Sequence, residues 1–193
     1  MEHSKTFDKK VIEPPPLERK DPGDDMNIFR WVMYRCSDKY PPYLHRMLLN
    51  PNERYNKFQI PRMATKRTVS KRDAFMRNAL HIAVMNNASV SVIELLINIY
   101  PAAMNERDKS GRLPFHTACA HHRNLYVIEY MIDITENIML EKTAFGSTPL
   151  VCAIEGSQPL YVLQYLEEQD PDVWDEKVQY GKTPLHVAAS CGA

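Results

Sequence analysis

From residue 73 onward, apolar positions fall into two alternating helical patterns that return at a constant interval of 35 residues. The first pattern is short. It opens on Asn78-Ala79-Leu80-His81, Leu113-Pro114-Phe115-His116, Thr148-Pro149-Leu150-Val151 and Thr183-Pro184-Leu185-His186, and a small residue follows each at Ala83, Ala118, Ala153 and Ala188. Glycine stands two places before three of these openings, at Gly111, Gly146 and Gly181, and Met76 holds that position in the first. The second pattern sets Val92-Ile93 and Leu95-Leu96 in phase with Val127-Ile128 and Tyr130-Met131, then with Val162-Leu163 and Tyr165-Leu166. Such spacing puts a broad apolar face on a second helix. The pattern predicts paired helices over about 80–100, 114–135 and 149–169, and a fourth unit that starts in register and stops at Ala193 before a second helix. A single hairpin of this kind cannot bury its own stripe, whereas stacked hairpins share one continuous core.

Different patterning precedes the repeats. Residues 1–25 contain Pro14-Pro15-Pro16 and Asp21-Pro22-Gly23-Asp24-Asp25, which would strip donors from a helix or central strand, so an extended or disordered arm is predicted. From Met26, the positions Ile28, Phe29, Val32 and Met33 share a helical face, Pro41-Pro42 interrupts it, and Tyr43, Leu44, Met47 and Leu48 restart it before Asn50-Pro51. Segment 26–50 therefore reads as short helices that cap or dock onto the first repeat. Segment 51–72 shows no convincing periodicity and reads as a basic linker, with the repeat domain occupying 73–193.

The openings Leu-Pro-Phe-His at 113–116 and Thr-Pro-Leu-His at 183–186, confirmed by the helical periodicity, resemble the ankyrin repeat. The interval is about two residues longer than that family's usual 33, Met76 replaces a turn glycine, and Val151 replaces a histidine. The resemblance implies an all-α, ankyrin-like helical solenoid with an N-terminal helical and extended region. It also implies a concave partner-binding surface built from projecting turns and first helices. On the turns the candidates are Phe75, Lys109, Ser110, Arg112, Phe145, Ser147, Tyr180 and Lys182, and on the first helices Met85, His121 and Glu155, with Asn86, Ala120 and Gly156 beside them. Phe75, Phe145 and Tyr180 share one phase and either anchor a partner or pack on their own hairpins. His81, His116 and His186 match the family histidine that bonds to turn backbone.

A metal cluster would need imidazoles within a few ångströms of one another, but stacked helices hold them about 10 Å apart. No metal site and no cofactor are expected. Cys119 and Cys152 fit small buried positions, where thiols are inert. Asp172 and Asp175 lie in a turn without an evident pocket, and no GxSxG, P-loop or HExxH occurs, so the chain is read as non-catalytic.

Charge changes this picture in one place. Among 193 residues the 24 basic and 24 acidic side chains cancel, yet 54–72 has seven basic and no acidic residues, while 73–193 has eight basic against fifteen acidic. The seven, Arg54, Lys57, Arg62, Lys66, Arg67, Lys71 and Arg72, are a solvated connector, an import-type signal, or a contact for phosphate or an acidic partner. The acidic body repels nucleic acid on average. A protein-interaction scaffold or accessory subunit of a larger assembly is thus the favoured reading, with a nucleic-acid-associated accessory protein as the alternative. Glu106-Arg107, Glu141-Lys142 and Glu176-Lys177 recur in phase and are expected to pair across neighbouring turns. The four cysteines form no CxxC pair, no apolar leader or 20-residue apolar run is present, and an intracellular location, cytoplasmic or nuclear, is expected. Missing repeats or another subunit are expected to cover the open C-terminal end.

Overall fold

A computed structural model describes residues 43–49, 51, 54–178 and 181–191; the predicted arm over 1–25 and the first of the short helices expected within 26–50 lie outside the described residues. The helices come in pairs. α1 (Tyr43–Leu48) precedes α2 (Arg54–Met63) and the one-turn α3 (Lys66–Val69); α4 (Ala79–Met85) precedes α5 (Val90–Ile99); α6 (Pro114–His121) precedes α7 (Leu125–Asp133); and α8 (Pro149–Glu155) precedes α9 (Leu160–Gln169). α10 (Pro184–Cys191) opens a fifth unit, and short 3-10 segments at Pro101–Asn105, Ile138–Leu140 and Pro171–Trp174 come after α5, α7 and α9. No strand occurs among the described residues.

The first helices are only two turns long and would be marginal in isolation. Pro114 and Pro149 start two of them, where a missing N–H costs nothing and the fixed φ is already helical. Asn78 and Thr148 cap their helices by accepting the N–H of His81 at 3.1 Å and of Val151 at 3.4 Å. Packing supplies the rest: every residue from Ala79 to Val84 is buried. The second helices bury a stripe instead, with Val92, Ile93, Leu96 and Ile97 inside on α5 and Ser91 and Asn98 outside.

Ala83, Ala118 and Ala153 are completely buried at equivalent positions, so adjacent first helices can approach closely. Gly156, at the end of α8, marks the closest approach. A Cβ there would sit 1.9 Å from the Ala120 carbonyl oxygen, although the glycine's own φ of −77° is ordinary. Left-handed Asn87 and Ser157 close the turn inside the second and fourth pairs, where the N–H groups of Ala88 and Gln158 reach the carbonyls of Ala83 and Ala153 at 3.0 Å. The third pair closes differently. Its His122 is buried, accepts the Asn124 N–H at Nδ1, and donates from Nε2 to the Ala88 carbonyl of the preceding pair at 3.1 Å.

One expected boundary is corrected. The stretch read as a basic linker, 51–72, is helical over 54–63 and 66–69, and its Ile60, Ala64 and Val69 join the common core together with Leu44, Met47 and Leu48 of α1. A full helical pair therefore precedes residue 73. Its pattern is obscured because Leu44-His45 lies 36 residues, rather than 35, before Leu80-His81, and because Pro61 and the basic side chains interrupt the apolar stripe of α2.

Gly156→Ala should cost about 3 kcal/mol, the upper end for overpacking, since the obstacle is backbone and cannot swing aside. Denaturant unfolding checks this, and a loss under about 0.5 kcal/mol would show that α6 and α8 can separate freely.

Candidate partner-binding surface

Between pairs the chain projects a tight turn, and four such turns share one geometry. The N–H groups of Met76, Gly111, Gly146 and Gly181 return to the carbonyls of Asp73, Asp108, Thr143 and Val178 at 2.9–3.0 Å. All four residues have positive φ, from 61° at Met76 to 75° at Gly146. Three are glycine, for which the left-handed region is free; Met76 adopts it at a cost of about 1 kcal/mol. Side chains brace the turns from within. Asp73 Oδ1 accepts the N–H of Phe75 and Arg77, and Asp108 Oδ1 accepts the N–H of Ser110 and Arg112, at 2.8–2.9 Å. Adjacent turns also bond to each other, Lys109 N–H to Phe75 O at 3.0 Å and Ala144 N–H to Ser110 O at 3.1 Å. The tips are thereby fixed to one another before any partner arrives.

Buried histidines attach these turns to the helices. His81 Nε2 donates to Arg112 O at 3.0 Å and His116 Nε2 to Glu141 O at 2.9 Å, while their Nδ1 atoms accept the N–H of Asn78 and Leu113. His45 repeats the first half of this arrangement by donating to Arg77 O at 3.0 Å. Its Nδ1 has no hydrogen-bond partner among the described residues, and the sequence has Pro42, without an N–H, three places earlier. At His116 the ring is held neutral, since a proton on Nδ1 would face the Leu113 N–H, whereas His81 Nδ1 also lies 2.8 Å from Asn78 Oδ1. Burial is the main cause that lowers the His116 pKa to about 4, helped by Arg107 and Arg112 and opposed by the bond to Glu141. Burial also lowers His81, His45 and His122.

The expected charge column is present and begins one unit earlier than the sequence pattern suggests. Arg72 pairs with Glu106 at 3.2 Å, Arg107 with Glu141, and Lys142 with Glu176. Arg107 also donates to the Lys142 carbonyl at 2.8 Å, so the column bonds backbone as well as charge. Burial raises the pKa of Glu106, but hydrogen bonds from Asn78, Tyr100 and Arg72 outweigh it and hold the carboxyl below its usual range. These are surface pairs, worth about 0–1 kcal/mol each.

The sequence-selected residues divide into three groups. Phe75 and Phe145 are 58% and 56% exposed at the turn tips, and Met76 joins them as an exposed apolar tip, although in the repeat pattern it figures only as a departure from glycine. Arg77 stacks over the Phe75 ring at 4.8 Å. Lys109, Lys182 and His121 are exposed, and Ser110, Ser147 and Met85 are half-buried. Arg112 and Glu155 come together as an ion pair at 3.5 Å, tying a turn to the end of α8. Ala120 is buried and so leaves the candidate surface, and Tyr180 lies outside the described residues. Of the seven basic residues, Arg62, Lys66, Arg67 and Lys71 are exposed. Arg72 is engaged by Glu106 and the Arg107 carbonyl; Arg54 and Lys57 lie on α2. The surface thus brings together Phe75, Met76, Lys109, Ser110, Phe145 and Ser147 on a braced row of turns, with the basic residues elsewhere.

Cys119 and Cys152 are buried, and burial pushes their thiols up, Cys119 well above the usual value and Cys152 to about 12. Among the described residues no group of three or more metal-ligating side chains converges, and no helix is long and apolar enough to cross a membrane.

Stacked helical pairs with bonded, projecting turns define a helical-repeat solenoid. The family model for ankyrin repeats, in three copies, matches residues 40–142, and the chain belongs to the ankyrin repeat family. That match begins ahead of residue 73, in agreement with the pair α1–α2. No curated protein matches the chain. Ankyrin repeats generally mediate protein–protein interactions and are typically non-catalytic.

Two outcomes test the turn and its clamp. Met76→Gly should raise stability by about 1 kcal/mol by releasing left-handed strain, read as a higher denaturant midpoint at unchanged slope. His116 has a folded-state pKa below the unfolded value of 6.5, so the unfolded chain binds the extra proton between about pH 6.5 and 4. Its contribution of about 3 kcal/mol is complete above pH 6.5 and is lost as pH falls toward 4. In His116→Asn, stability measured across that window should fall less steeply, by about 1.4 kcal/mol per pH unit; an unchanged slope would mean that His116 is already protonated in the folded chain.

Proposed function

We propose that this chain is a non-catalytic interaction scaffold that captures a protein partner on its row of turn tips. The observation that carries this reading is the pair of exposed rings, Phe75 and Phe145, on turns braced by backbone bonds to their neighbours. Large aromatic side chains held in place lose little entropy on binding and commonly supply most of an interface's affinity. Lys109 and Lys182 flank them as exposed cations without an ion pair among the described residues, which favours a partner segment with apolar anchors and acidic flanks. Arg112 and Glu155 already satisfy one another and set the spacing between turn and helix.

Phe75→Ser combined with Phe145→Ser removes both anchors from exposed sites, so the melting temperature should stay within about 2 °C of the parent. Proteins that co-purify with the parent chain from its source should bind the double variant at least about tenfold more weakly. A partner set that is retained undiminished by the double variant would place the binding surface elsewhere.

A further inference from the structure

Among the described residues, exposed charge without an ion pair is divided by sign at the ends of the second helices and the segments after them. Lys109, Arg123, Lys177 and Lys182 lie on connecting turns, Lys177 beside the acidic end. Through the middle, Arg72, Arg77, Arg107, Arg112 and Lys142 each face a carboxylate. In the first unit, Arg62 at the end of α2, Lys66 and Arg67 on α3, and Lys71 beyond it are exposed and make no ion pair among the described residues. In the fourth, Glu167 and Glu168 at the end of α9, and Asp172 and Asp175 in and just after the adjoining 3-10 segment, are exposed and equally without an ion pair.

The two sets occupy the same place in their units. Arg62 and Glu168 are each the ninth residue of their helix, and Arg67 and Asp172 are 105 residues apart, three intervals of 35. Equivalent positions line up along a solenoid, so one ridge, formed by the ends of the second helices and the short segments after them, begins basic and ends acidic. Pro101, Ala102 and Asn137 lie exposed and uncharged between, and Asp133 and Glu136 extend the acidic half.

We infer that this ridge is a self-association surface on which a second copy of the chain lies antiparallel. The basic first unit of each copy then meets the acidic fourth unit of the other. A two-fold axis makes such a surface self-complementary, so both charge contacts form together, whereas a parallel alignment would oppose like charges. The ridge is separate from the row of turn tips, which remains available to a different protein.

Sedimentation of the full 193-residue chain tests it. A dimer is expected at about 50 mM salt, with a dissociation constant at least about tenfold higher at about 500 mM, where screening shortens the reach of the charges. Reversing the basic set (Arg62→Glu, Lys66→Glu, Arg67→Glu, Lys71→Glu) or the acidic set (Glu167→Lys, Glu168→Lys, Asp172→Lys, Asp175→Lys) should each give a monomer with parental helicity. Mixing the two reversed chains should restore a dimer, and so should placing both reversals in one chain. A parent chain that is monomeric at both salts would overturn the inference. So would a dimer indifferent to the reversals, open-ended polymers in place of a dimer, or a monomer that uses the basic set to bind RNA, DNA or an acidic peptide.

Discussion

The neutral, buried histidine is the constraint on which the repeat depends. At His81 and His116 one imidazole closes the start of a first helix through Nδ1 and reaches the next boundary through Nε2, so the helix that fills the core also sets where the next turn stands. At His116 neutrality is necessary for both bonds at once. Desolvation in a core that also contains Leu80 and Phe115 enforces it. That attachment adds to the turns' own backbone bonds in fixing the boundaries at Arg112 and Glu141.

Charge reinforces a register that packing has already chosen. The column runs from a base in one unit to an acid in the next, and Lys71 occupies the phase held by Glu106, Glu141 and Glu176 in later units. The column thus begins at Arg72 and leaves Lys71 to the solvent, where it adds to the basic end of the outer ridge. The same phase therefore serves alignment in three units and surface charge in the first.

Most of the solenoid could be read from the chain because its special residues have special backbone or polar duties. Glycine marks a left-handed turn, proline a helix start, and histidine a bond to a turn, and each recurs at 35. The first pair escaped because those marks are altered there: Pro42 precedes His45, the interval is one longer, and α2 has Pro61 near its end. The charge column was legible since its members are in phase. Arg112 with Glu155 was not, because 43 residues separate them and the contact crosses from a turn to the helix of the next unit. Burial of His122 was equally hidden. Nothing in a local pattern says that a polar ring in an inter-helix turn will find the Ala88 carbonyl.

The one place where the clamp is missing shows what it does for the array. Val151 is buried where the other units have histidine, so the fourth unit keeps its Thr148 cap and its apolar packing but has no ring with which to hold the next turn. The fifth unit nevertheless opens with the same turn, Gly181 N–H to Val178 O at 3.0 Å, and with Thr183 bonded to His186 Nδ1. In a solenoid each interface contributes separately to stability. Losing one clamp therefore removes a single bond between neighbouring units while leaving the turn geometry and the α1–α9 core intact.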